Sequence, residues 1–368
     1  MAGRIVLFGA TGYTGRLTAE ALVERGAKPL LAGRNAESLE ELAKDLGGGL
    51  DTAQADVSDP RSVGQLVTKD DVMVSTVGPF AKWGGPAIEA AIRAGAAYLD
   101  STGEGTFIRQ VFERYTDLAS RSGSGLLTAF GYDWVPGNLA AALALRDAGE
   151  SAVRVAVGYY ATGTGMAGMS GGTQASAAGV MLDPSFAFRD GAVRTERNAK
   201  RVASFDVGGR KQPAVSVGSS EHFALPQSFP QLREVDAYLG WFGPASRPMQ
   251  ALSAGLSAVT KVPGSRKAIS GALGKLVKGS SGGPGPEERA KSGSQVVAVA
   301  YDGDGQALAS ARLEGVDGYT YTGRILAWGA ITALEGGLRG SGALGPVKAF
   351  GLDELERGSA QAGIERVA

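Results

Sequence analysis

Gly9, Gly12 and Gly15 stand at G-x-x-G-x-x-G spacing in IVLFGATGYTG, directly after an apolar run and at the opening of a stretch with helical spacing. That is the context in which a glycine triplet holds a dinucleotide. Gly9 allows the tight turn, Gly12 lets the backbone approach a pyrophosphate, and Gly15 lets the helix lie close on the strand. Thr11, Tyr13 and Thr14 fill the turn between them. Free N–H groups at a helix start, with the positive end of the helix dipole, favour phosphate there. The bland alternative is a glycine-rich turn that binds nothing.

The second strand bears on which dinucleotide. An NAD site presents Asp or Glu about 20 residues further on, to hold the ribose hydroxyls. Here Leu31-Ala32-Gly33-Arg34-Asn35 offers no acid, and Arg34 stands in its place. A guanidinium grips a 2′-phosphate with two parallel bonds and stacks on adenine, so NADP(H) is expected over NAD(H). Asp56 and Val57, after the third strand, are candidates for the adenine edge, or an ordinary turn.

Three further loops follow predicted strands, at the sheet edge where ligands collect in such folds. The first carries Val77, Gly78, Pro79 and Phe80; the second carries Ser101, Gly103 and Glu104. Both are candidates for the nicotinamide side of the site. The third, Phe130 to Gly137, carries Tyr132 and Asp133, the expected catalytic pair, one of which would touch substrate or hand over a proton. Glu104 and Ser101 are further proton-donor candidates. Each also has a structural reading, as packed aromatic, turn residue or helix cap.

Much chemistry is excluded by residue type. The chain has no cysteine, which removes thiolate nucleophiles, disulfides and cysteine-ligated metals. No tyrosine is followed by lysine four residues on, so the short-chain dehydrogenase acid is missing. No metal-ligand cluster is visible, and none is expected. The single histidine, His222, precedes a proline and reads more readily as structural or exposed than as catalytic. Trp241-Phe242 fits core packing better than a pocket lining. Ser170–Thr173 reads as a helix start that caps itself through Thr173 or meets a substrate carboxylate or carbonyl.

Residues 1–150 alternate short apolar strands with helices, the pattern of parallel strands joined by crossovers. The strands are apolar throughout, as expected for a sheet covered on both faces. From Ala152 the texture becomes strand-rich, with a helix expected at Thr173–Met181. The expected fold is therefore α/β: a Rossmann doubly wound parallel sheet over 1–150 and a second, mixed α/β domain over 151–320. C-terminal helices over 321–368 are expected to return to the first domain. With 368 residues, both parts can bury a core without staples.

Lys plus Arg and Asp plus Glu are both 37, and this balance argues against nucleic acid as a partner. The uncharged stretch Val155–Leu182 is too rich in Gly, Ser and Thr to cross a bilayer. The start MAGRIVLFGATG enters a strand at once, so no targeting segment is expected and the expected location is cytoplasmic. Between Ala237 and Pro286 there is no acid, yet Arg247, Lys261, Arg266, Lys267, Lys275 and Lys278 alternate with apolar residues. This is either a solvated helical face or a docking surface for an acidic carrier protein or an anionic membrane surface.

GATGYTG, the AGR after the second strand, VGPF, YLDSTGE, FGYDWVPGNLA, SGGTQAS and a late GY–T pair together resemble the saccharopine dehydrogenase-like reductases. That family includes trans-acting enoyl reductases. The resemblance is strong over residues 1–150, patchy at Ser170–Ser176 and Gly318–Glu335, and weak between 185 and 315. It implies NADP-type binding at Gly9, Gly12, Gly15 and Arg34, with nicotinamide near Val77–Phe80 and Ser101–Glu104. It implies an NADPH-dependent oxidoreductase, with an enoyl C=C of an acyl, lipid or polyketide-type chain as first expectation. Reduction of C=N in an opine-like substrate is the alternative, and a non-catalytic NADP(H) sensor is the reading from a different class. A homodimer is a further expectation left open.

Overall fold

The computed structural model describes residues 3–163, 184–241, 243–259 and 282–367. The chain forms two compact units. The first gathers residues up to 103, 107–135 and 318–363; the second gathers 104–106, 136–317 and the C-terminal residues from 364.

The first unit is a seven-stranded, all-parallel sheet. Its strands are β1 (Ile5–Phe8), β2 (Leu30–Gly33), β3 (Thr52–Gln54), β4 (Val72–Ser75), β5 (Ala97–Asp100) and β6 (Gly125–Leu127), with β15 (Gly342–Ala343) added late in the chain. The order is β15-β6-β5-β4-β1-β2-β3. Strands β3 to β6 thus follow the 3-2-1-4-5-6 order of the doubly wound dinucleotide-binding fold. β1, β2 and β4 are buried at every position, because helices cover both faces of the sheet. The order reverses between β1 and β4, which pair in register from Ile5↔Val72 to Phe8↔Ser75. That reversal opens a crevice at the carboxyl ends of the two strands.

Two helices of this unit run side by side. A Cβ on Gly323, in the helix Gly318–Gly336, would fall 2.9 Å from backbone atoms of Leu17, in the helix Tyr13–Glu24. One turn earlier in each helix, the rings of Tyr319 and Tyr13 meet edge-on with centroids 5.2 Å apart. Both contacts advance four residues in the same direction, so the helices are parallel and start together.

The second unit is a mixed sheet of β7 (Arg154–Thr162), β10 (Val202–Val207), β11 (Arg210–Val217), β12 (Glu234–Leu239), β13 (Gly293–Tyr301), β14 (Ala307–Val316) and β16 (Ile364–Val367). Their order is β10-β11-β12-β7-β13-β14-β16. Only β12 and β7 pair in parallel within it. The hairpin β8 (Ser185–Arg189) and β9 (Ala192–Glu196) joins at β12 through Val235↔Phe188. The buried helix Val135–Ala148 falls almost wholly in this unit, so the compact units divide at 135/136 where the sequence suggests 150. Gly318–Gly363 goes with the first unit, and the last strand, β16, pairs with β14. Among the described residues no helix is long and apolar enough to cross a membrane.

Candidate coenzyme and catalytic site

The turn after β1 is built by its glycines. Gly9 has φ +90°, and the amides of Gly9 and Ala10 both donate to the Ala32 carbonyl on β2, at 2.8 and 3.2 Å. A side chain on Gly9 would collide with Thr76 and Val77, each 2.8 Å from an ideal Cβ. Gly15 is tighter, since its Cβ would lie 2.1 Å from the Gly9 carbonyl oxygen. Gly12 differs: its Cβ would meet only that same oxygen, at 3.3 Å. The turn is thus closed on its inner side at Gly9 and Gly15, and open at Gly12, where the helix Tyr13–Glu24 begins. The amides of a first helical turn have no carbonyl four residues back to bond, which favours an anion at such a helix start. This cradle fits a diphosphate.

Arg34 follows β2, and its side chain is exposed. Its carbonyl accepts from Gln54 Nε2 at 2.9 Å, which fixes the backbone, while the guanidinium makes no ion pair among the described residues. Asp56 lies nearby. Its carboxyl is held below the ordinary range by the Ser58 hydroxyl and amide, at 2.6 and 2.7 Å, with the Arg34 charge adding to the effect. Asp56 is therefore committed to its own turn, and Val57 beside it is half-buried. An exposed, uncommitted guanidinium at the end of β2 fits a 2′-phosphate.

Across the crevice, the loop after β4 is fastened to the glycine turn. The Thr76 amide donates to the Phe8 carbonyl at 2.9 Å, and its hydroxyl to the Gly9 carbonyl at 3.1 Å. Val77 is half-buried and Gly78 and Pro79 are exposed, whereas Phe80 is buried against Phe107 with centroids 5.7 Å apart. Phe80 is therefore a core anchor for the loop, and only Val77–Pro79 is presented at the edge. Ser101 and Gly103 lie after β5 in the same unit; Glu104 is buried and goes with the second unit.

Asp133 lies against Gly103, where an added Cβ would be 2.8 Å from Oδ2. Its Oδ1 is fully enclosed and accepts no hydrogen bond. Burial without a bonding partner pushes the carboxyl up to about 7. Tyr132 is buried with its ring over Gly318, and its amide donates to the Thr322 hydroxyl at 3.0 Å, which in turn donates to the Gly318 carbonyl at 2.7 Å. Gly131 sits 3.1 Å or less from Thr322 by the same Cβ construction. The helix Gly318–Gly336 thus holds the Tyr132–Asp133 turn from one side. Thr322 escapes a sequence reading because it is 190 residues from the turn it serves; the nearby Gly318-Tyr319 pair is the local signal.

His222 is buried on the helix Glu221–Ser228 in the second unit, with Nδ1 accepting from the Ser219 amide at 3.2 Å. Burial lowers it to about 4, so the ring is neutral, as its structural reading requires. Trp241 is half-buried. Phe242, the Ser170–Thr173 turn, the helix expected at Thr173–Met181 and Lys261, Arg266, Lys267, Lys275 and Lys278 lie outside the described residues. Arg247 is exposed on the helix Ser246–Val259.

A doubly wound parallel sheet with an open glycine cradle at its switch point and an exposed arginine after β2 has the features of a dinucleotide-binding domain. Residues 5–127 match the saccharopine dehydrogenase NADP binding domain. Trans-acting enoyl reductases of Mycobacterium tuberculosis and Mycobacterium ulcerans are 37% and 36% identical to it over 140 residues. That match covers 37% of this chain and 34% of each relative, so the chain spans about a third of the length of the curated relatives it matches. The apo saccharopine dehydrogenase (L-Glu forming) of Saccharomyces cerevisiae superposes over the full length of both chains with a TM-score of 0.57 at 14% identity, which shows a shared fold.

Proposed function

We propose that the protein is an NADPH-dependent reductase acting on an activated double bond, with an enoyl thioester of an acyl or polyketide-type chain as substrate. The observation that carries this reading is Asp133. It is a carboxyl enclosed at the carboxyl edge of a dinucleotide-binding sheet and kept protonated to about pH 7. Such a group gives up a proton at the pH where reduction runs.

When bound, the coenzyme supplies the hydride that reduces one carbon of the double bond. The chain does the rest. The cradle at Gly9, Gly12 and Gly15 holds the diphosphate, with Thr11, Tyr13 and Thr14 around it, and Arg34 selects the 2′-phosphate. Val77, Gly78, Pro79, Ser101 and Gly103 border the nicotinamide end. Asp133 or Tyr132 delivers the proton that completes the saturated product. A thioester carbonyl next to the double bond stabilises the charge that hydride addition creates, so no metal is required for the step.

The names of the mycobacterial relatives support an acyl chain presented in trans, on a carrier. The acid-free stretch from Arg247 to Lys278 suits an acidic carrier protein or an anionic membrane surface. NADPH consumption with crotonyl N-acetylcysteamine thioester tests the reading. Turnover of a 2-oxoacid with an amine, and not of the thioester, would move it to C=N reduction. NADPH binding without turnover of either would make the protein a sensor.

A further inference from the structure

Asp100 ends β5 as a carboxylate with no exposed surface, in a strand otherwise apolar. The chemistry above makes no use of it, and a buried carboxyl is costly unless it has partners. Its Oδ1 accepts two amides, Thr102 at 2.9 Å and Ala129 at 3.0 Å, and its carbonyl accepts the Phe130 amide at 2.6 Å. Thr102 belongs to the loop after β5, Ala129 and Phe130 to the loop after β6. One residue therefore joins both loops by three hydrogen bonds.

Both loops lead to Asp133. Ala129 has φ +59°, a left-handed conformation that costs a non-glycine residue about 1 kcal/mol or more and must be held from outside. The Asp100 bond to its amide holds it. From there the Trp134 amide returns to the Ala129 carbonyl at 2.9 Å and the Val135 amide to Gly131 at 3.0 Å, closing the turn that carries Tyr132 and Asp133. On the other side, the Asp133 carboxyl rests on Gly103, the residue after Thr102. The Asp100 carboxyl also lies beside the buried hydroxyls of Thr128 and Tyr98, while its Oδ2 makes no hydrogen bond of good geometry.

We infer that Asp100 is a positioning residue: through the amides of Thr102 and Ala129 it fixes where Asp133 stands and how completely the Asp133 carboxyl is enclosed. Asparagine at 100 keeps the acceptor oxygen and so the clamp; alanine removes it; glycine at 129 takes away the strain that the clamp holds.

The inference takes its functional meaning from the reading of Asp133 as proton donor, but its test needs no turnover. Carboxyl ¹³C resonances of the full chain, with Asp133 assigned through Asp133→Asn, are followed against pH. In the unaltered protein Asp133 should titrate near 7, and Asp100→Asn should leave it there. Asp100→Ala should move it down toward the ordinary value of about 4, and Ala129→Gly added to Asp100→Ala should return it part of the way. A purely structural role would lower the melting temperature of Asp100→Ala without moving Asp133, and that result overturns the proposal. If Asp100→Ala does not fold, Asp100→Asn decides alone, because an Asp133 titration displaced there means that amide acceptance is not what sets its place. NADPH affinity, measured in parallel, separates the two ideas: its loss in the unaltered protein defeats the coenzyme reading and leaves the clamp standing or falling on the titration.

Discussion

Gly12 and Gly15 are three residues apart on one helix start, yet alanine at each should have opposite consequences. At Gly15 the new methyl would sit 2.1 Å from the Gly9 carbonyl oxygen and 2.8 Å from that of Ala10, below the 3.0 Å that real Cβ atoms keep. Both obstacles are backbone, so either the helix Tyr13–Glu24 slides past Gly323 on the neighbouring helix or the turn after β1 is rebuilt. Overpacking of this kind costs about 1–3 kcal/mol, equivalent to a fall in melting temperature of roughly 5–10 °C at the upper end for a domain of this size. At Gly12 the methyl meets a single oxygen at 3.3 Å, a few tenths of an ångström too close, so stability should change by less than about 1 kcal/mol. That methyl instead occupies the open side of the cradle. NADPH affinity should fall about tenfold or more, or about 1.4 kcal/mol. Calorimetric melting and isothermal titration of NADPH read the two effects separately. Gly12→Ala that binds NADPH as the unaltered protein does would refute the cradle. Gly15→Ala that melts unchanged would refute the packing argument.

The remaining expectations concern charge and protons. Arg34→Asp removes a charge-assisted contact worth about 2 kcal/mol, so NADPH affinity should drop roughly 30-fold or more while NADH affinity holds or improves; equal losses for both coenzymes in titration would end the 2′-phosphate role. Because Asp133 keeps its proton up to about 7, reductase turnover should decline as pH rises through about 7, and Asp133→Asn should lose the activity together with that limb; a profile flat across this range contradicts the assignment. The same raised value means that its contribution to folding is full below about 4 and is lost as pH climbs through about 7. His222 works in the opposite direction. Its folded value of about 4 lies below the ordinary 6.5, so stability is full above about 6.5 and is lost as pH falls through about 4, by about 3 kcal/mol. His222→Asn, which keeps an acceptor for the Ser219 amide, should flatten that acid limb in denaturant titrations, and an unchanged limb would assign acid unfolding to other groups.

What the sequence determined by itself is the part of the protein that is local. A strand, a turn and a helix that share eleven residues, IVLFGATGYTG, carry their own instructions: apolar side chains for a covered strand, glycines where a carbonyl leaves no room for Cβ, and a helix start after them. The exposed place of Arg34 is local for the same reason, since it follows directly on β2. The parallel doubly wound sheet also follows from the alternation of short apolar runs and helices over residues 1–150. In the second unit, by contrast, β8, β9, β10, β12 and the buried helix Val135–Ala148 have no clear local signal, because strands whose burial changes along their length, such as β10 and β11, give no clean period. His222 reads in sequence as structural or exposed, and only the surrounding helix and sheet show it buried and neutral. Tertiary structure alone decided how the candidate catalytic turn is held. Asp100 reads in sequence as the last residue of a strand, and Thr322 as one more position on a C-terminal helix. Each becomes a support for Tyr132 or Asp133 only when β5 and β6 pair and the helix Gly318–Gly336 returns beside Leu17. Those contacts join residues 29 and 190 positions apart, and a hydrogen bond across such a separation leaves no pattern along the chain.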